Sequence, residues 1–170
     1  MNDFISKKLK IKLITVITTS ILSISNVSAN SSNQNNTNNT SSIKNGITII
    51  NPWARATVAK QAASGVFLSI KSDKQLSLFK IESPIATKSE IHTMVMKDNT
   101  MYMHAVDKVD IQKNQTTELN GDYHLMIFGL KQKLQVGMNV PIKLYFKDDN
   151  QNIIQKDINA VVKPIYYSEK

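Results

Sequence analysis

At 170 residues with a formal net charge of +8, the chain has room for one ordinary domain and a surplus. The absence of cysteine excludes a disulfide, a thiolate nucleophile or metal ligand, and a blue-copper centre, which needs a Cys sulfur. The basic charge is spread out, with Arg55 the single arginine and no basic stripe interleaved with aromatics, so nucleic acid is not an expected partner.

Residues 1–29 read as a secretory signal peptide. Lys7, Lys8, Lys10 and Lys12 precede an apolar run from Leu13 to Ser25, and Val27-Ser28-Ala29 offers the small residues a signal peptidase reads. The run is about 13 residues long, short of the roughly 18 to 20 that span a bilayer, so cleavage and no remaining membrane span are expected. No Cys follows the run, so a lipoprotein anchor is not expected. The segment holds four Lys and one Asp, and its removal lowers the net charge from +8 to +5. The expected location is the periplasm, and the expected state is a monomer. Residues 30–43 (NSSNQNNTNNTSSI) are almost free of apolar side chains and predict a disordered polar linker.

From residue 44 to 165 the pattern predicts a single all-β domain, with 166–170 as a tail. Strands are expected at Ile47–Ile50, Trp53–Val58, Gly65–Lys71, Leu76–Ile81, Glu90–Met96, Thr100–Val106, His124–Phe128, Val140–Phe146 and Ile153–Val162. These runs are β-branched and aromatic, often of period two, and separated by Asn, Asp, Gly, Pro and Ser. About nine short strands without a long helix suggest an antiparallel β-sandwich or barrel. Asp98-Asn99 sits between two alternating runs and suits a two-residue hairpin loop, because both residues tolerate positive φ. That loop would pair Lys97 with Thr100, Met96 with Met101, Met94 with Met103 and His92 with Ala105. Because side chains alternate faces, His92, Met94, Met96, Met101 and Met103 would share one face.

All three His and five of the seven Met lie between positions 92 and 126. In His124-Leu125-Met126 the two outer residues point the same way along a strand, so both can approach one metal. With His92 and Met103 from the hairpin, the candidate set is two imidazoles and two thioethers. Soft thioether with imidazole suits Cu(I) and serves Zn²⁺, Mg²⁺ or Ca²⁺ poorly. Four neutral ligands leave a charge of +1, which a partly apolar pocket tolerates better than +2. Met is also a common filler of cores. Met94, Met96 and Met101 are possible auxiliary ligands, with packing or a hydrophobic rim the preferred role. His104 is expected at the surface, Met138 and Trp53 in the core, and Arg55 paired with a carboxylate. No catalytic set stands out: there is no Ser-His-Asp relay and no phosphate-cradling glycine loop, so no enzyme activity is expected.

The spacing resembles that of the periplasmic copper(I) chaperones known as PCu(A)C-like proteins, whose signature is His, ten residues, Met, about twenty-one residues and His-x-Met. Here ten residues separate His92 from Met103, twenty separate Met103 from His124, and His124-Leu125-Met126 closes the pattern. The shorter second gap falls in what is expected to be the Asn114–Asp122 loop. The resemblance runs from about residue 47 to 162 and includes Asn51-Pro52-Trp53-Ala54-Arg55, Gly65–Ile70, Glu82-Ser83-Pro84-Ile85-Ala86 and Gly121–Leu130. It implies a cupredoxin-like, Greek-key β-sandwich. It also implies one Cu(I) per chain on His92, Met103, His124 and Met126, and transfer to copper sites of respiratory oxidases, through an oxidase copper subunit or another copper chaperone as transient acceptor. The tail Lys163–Lys170 has neither His nor Met, so a second copper site there is not expected. Copper buffering without a dedicated acceptor, and a metal-free β-sandwich interaction module, are the competing readings.

Overall fold

A computed structural model describes residues 46–168. The expected signal peptide and linker lie outside the described residues. Ten strands and no helix make up the described chain. They are β1 (Ile47–Arg55), β2 (Ala63–Ser72), β3 (Leu76–Glu82), β4 (Lys88–Lys97), β5 (Thr100–Val106), β6 (Val109–Ile111), β7 (Thr116–Leu119), β8 (Tyr123–Phe128), β9 (Asn139–Asp148) and β10 (Ile153–Lys163).

The expected runs Ile47–Ile50 and Trp53–Val58 merge into one strand, β1, which ends at Arg55 and leaves 56–58 outside it. Asn51 adopts φ 45° and the register slips between Ile50 and Trp53, a bulge that lets Pro52, which has no N–H to donate, stay within the strand. β6 and β7 are additional. Three and four residues are too few to show a period, and β7 occupies the stretch expected to be the Asn114–Asp122 loop. It forms because Leu68–Lys71 of β2 offers it an open edge.

The strands run in the order β5-β4-β8-β2-β1-β10-β9-β3-β6, with β7 also on β2. All these pairs are antiparallel except β1 with β10, which run parallel from Trp53↔Val161 to Arg55↔Lys163. Parallel neighbours need a long crossover; between the first and last strands, the rest of the domain supplies it. The sheet wraps one core, to which both halves contribute: Ile47, Ile49, Leu68 and Ile127 from one, Leu78, Ile142, Leu144 and Phe146 from the other. Each fully buried side chain of this size is worth about 1.5–3 kcal/mol. That burial makes the domain a β-sandwich and pins the register.

Pinned register decides what the opposite face carries. In β4, Ile91 enters the core, so His92, Met94 and Met96 face outward. In β8, Leu125 and Ile127 enter the core, so His124, Met126 and Phe128 face outward. In β2, Val66 and Leu68 leave Phe67 on the same outer face.

The β4–β5 hairpin has the expected register, from Lys97↔Thr100 to His92↔Ala105. Its loop residues take φ 49° at Asp98 and 58° at Asn99, the double left-handed pair of a type I′ turn. Asn99→Val should therefore lower stability by about 1–2 kcal/mol, whereas Asn99→Gly should not. Urea denaturation of the two variants beside the parent measures the difference, and equal losses would mean that the turn does not hold the hairpin.

Candidate metal centre

Three adjacent strands, β5, β4 and β8, present the expected ligands. His92 and His124 are direct partners across β4 and β8, with ring centroids 6.1 Å apart. Met103 stands on β5 opposite Met94. Its side chain crosses over β4 and brings Sδ to 3.0 Å from His124 Nε2. Around a tetrahedral d¹⁰ ion, with nitrogen about 2.0 Å and sulfur about 2.3 Å away, two donors stand about 3.5 Å apart. The pair is thus near the spacing of two atoms that share an ion and needs to open by only a few tenths of an ångström. Met126 shares the face, opposite Glu90 and diagonal to His92. Among the described residues, no hydrogen bond links its sulfur to the other three groups.

The two imidazoles are buried, at 7% and 5% exposure, while Met103 is 51% exposed. The centre is therefore a half-open site with a nitrogen floor and a sulfur rim. Burial, and then the charge of His92, push the His124 pKa below its ordinary 6.5, which favours the neutral ring that a metal requires.

Glu90, a residue the sequence reading did not single out, completes the floor. Its Oε2 lies 3.0 Å from His92 Nε2 and its Oε1 2.7 Å from Lys88 Nζ. The hydrogen bond to Lys88, then the one to His92, hold the Glu90 carboxyl below its ordinary pKa. A carboxylate only accepts, so His92 Nε2 carries a proton, and in the neutral ring Nδ1 carries the lone pair. That Nδ1 is buried and has no hydrogen-bond partner among the described residues. Donation of the other ring N–H to a carboxylate is the usual way a ligating imidazole is oriented. The signal was present in Glu90-Ile91-His92, where residues two apart on a strand share a face.

Aromatic rings wall the floor. Trp53 stacks on Phe67 at 4.2 Å and Phe67 on His124 at 6.2 Å, while Phe128 lies 5.8 Å from His92. Trp53 was expected in the main core. It is buried, but on the outer face, beneath the edge of Tyr167 at 5.0 Å. Nor, among the described residues, does Arg55 form an ion pair with a carboxylate. Its guanidinium lies over the Trp53 and Phe67 rings, 5.6 and 5.3 Å from their centroids, and Nη1 donates to the Ile165 carbonyl at 2.9 Å. The C-terminal segment is thus a clamp on the aromatic wall, visible only once β1 and β10 are side by side.

His104 is exposed and faces away from Met103, and Met138 packs half-buried against the core. Met94 is half-buried, but Met96 and Met101 are 62% and 56% exposed. These two are rim residues and not core packing. Among the described residues, no three His, Cys, Asp or Glu side chains gather to hold a metal. What gathers on β5, β4 and β8 is imidazole with thioether.

The family model described as "Putative lipoprotein LpqE-like" matches residues 47–156. The chain belongs to the LpqE-like family. The matched stretch of this LpqE-like chain includes Glu90, His92, Met103, His124 and Met126. None of its 170 residues is a cysteine. Two solved structures share its fold. One, "Apo PCuAC domain from PmoF1", has a TM-score of 0.55 at 17% identity, over 70% of this chain and 94% of that one. The other, "Copper-bound PCuAC domain from PmoF2", has a TM-score of 0.54 at 16% identity, over 70% and 93%. No curated protein sequence gives a significant match. No helix among the described residues is long and apolar enough to cross a membrane.

The lowered His124 pKa sets a direction for stability. The unfolded chain takes up the proton near pH 6.5, while the folded site resists it. Metal-free protein should therefore hold its full stability above about pH 6.5 and lose it as pH falls through the lowered folded value. His124→Phe should flatten that decline. Denaturation midpoints of both proteins from pH 7.5 to 5 test this, and parallel curves would remove His124 as the cause.

Proposed function

We propose that this protein is a copper chaperone that holds one Cu(I) on His92, Met103, His124 and Met126 outside the cytoplasm and passes it to another copper protein. The observation that carries the reading is the meeting of two buried imidazoles with a half-exposed thioether, Met103 Sδ lying 3.0 Å from His124 Nε2. Membership of the LpqE-like family and a fold shared with PCuAC domains, one of them described as copper-bound, support it.

Two neutral imidazoles and two thioethers form a soft set that selects Cu(I). With all four positions filled by protein, the ion has no open site for chemistry, which separates a carrier from a catalytic metal enzyme. The protein's task is then hold and release. The imidazoles anchor the ion from the floor, and Glu90 keeps the His92 lone pair aimed. Met103, the most exposed of the four, is the ligand that leaves first as an acceptor's donor arrives. The copper subunit of a respiratory oxidase is the acceptor implied by the family resemblance. Cell export by the segment 1–29 and a free domain beyond the linker 30–43 belong to the same reading.

Anaerobic Cu(I) titration against a competing chelator tests it. The parent should take up Cu(I) tightly. Glu90→Gln should weaken uptake by about 10- to 100-fold, as loss of an outer hydrogen-bond partner does, and His124→Ala by more. A parent that leaves all copper with the chelator defeats the proposal. For delivery, a deletion strain should lose oxidase activity that added copper restores.

A further inference from the structure

The distal half of the β4–β5 hairpin is left unexplained by the four-ligand centre. β8 pairs with β4 only as far as Thr93↔Tyr123. Met94 N–H still donates to the Asp122 carbonyl at 2.7 Å; from Val95 onward the hairpin is exposed on both faces: Val95 and Tyr102 on one, Met96 and Met101 on the other. Met96 and Met101 are direct cross-strand partners, and Met94 lies two residues before Met96 on the same face. A packing role explains none of this, since none of the three belongs to the hydrophobic core cluster or the residues packed against it.

We infer that Met94, Met96 and Met101 form a second soft-metal site, a three-thioether seat for Cu(I) or another monovalent d¹⁰ cation. Directly opposed residues have Cβ atoms about 4.5–5.5 Å apart and diagonal ones about 7–8 Å. Each Met adds three rotatable bonds beyond its backbone, so the three sulfurs can meet at one point. Neutral thioethers hold soft monovalent ions and leave Ca²⁺, Mg²⁺ and Zn²⁺ in water. Exposure at the tip lets an ion arrive without the domain opening. Met94 also stands opposite Met103, so the seat lies one cross-strand pair from the rim of the inner centre. Its use as a landing stage for copper bound for that centre rests on the function proposed above; the binding itself does not.

The test titrates the full chain with Ag(I), a redox-stable probe of the same charge and softness, after labelling the methionine ε-methyl groups with carbon-13. Two equivalents should bind, one of them shifting the Met96 and Met101 methyls. Met96→Leu with Met101→Leu, a change that keeps volume at two exposed positions, should abolish that equivalent and keep the other. His92→Ala with His124→Ala should do the reverse, so loss of either site is read separately from the other. Saturation of the parent without movement of the Met96 and Met101 methyls, or a Leu pair that still binds as the parent does, overturns the inference.

Discussion

Everything at the candidate centre depends on side-chain alternation held in register across β5, β4 and β8. Ile91, Leu125 and Ile127 are driven into the core by the loss of apolar surface from water. Their neighbours His92, His124 and Met126 then have no choice of face. A slip of one residue would send the imidazoles into the core and the isoleucines into solvent. The hydrophobic effect thus acts on one side of the sheet and builds a metal-suited surface on the other.

The outer face is not left as bare sheet. Trp53, Phe67, Phe128 and Tyr167 enclose the imidazoles, and Arg55 ties the aromatic pair to the C-terminal segment. Burial has two consequences there. It keeps His124 neutral by penalising the imidazolium form, and it leaves His92 Nδ1 as a lone pair without a partner among the described residues. Both effects cost stability in the metal-free protein, and a bound soft cation would recover part of that cost. Met103 at the rim stays half in water. Firm at the floor and loose at the rim is the arrangement a carrier needs, because an ion caged on all sides could not be handed on.

Sulfur marks the boundary between the two methionine roles. Met138 packs half-buried against the core, as a flexible filler does. Met96 and Met101 stand in solvent on a hairpin that leaves the sandwich behind. The type I′ turn at Asp98-Asn99 sets their pairing as firmly as it sets that of Met94 and Met103. One short turn therefore governs both the inner centre and the exposed trio.

Much of this was legible in the sequence, where the physics is local. The alternation of apolar residues marked most strands. Asp98-Asn99 determined the hairpin register from Lys97↔Thr100 to His92↔Ala105, and two-residue spacing put His124 beside Met126 and His92 beside Met94. Other features needed the tertiary structure, because they join residues far apart along the chain. Burial of the core set β8 against β4, which paired His92 with His124. Parallel pairing of β1 with β10 brought Tyr167 onto Trp53 and the Ile165 carbonyl to Arg55. The short strands β6 and β7 follow from edges offered by neighbours, and no local pattern encodes them. Glu90 lies between these cases. Its face was readable from Glu90-Ile91-His92, but its bond to the His92 ring required the rotamers that only packing selects.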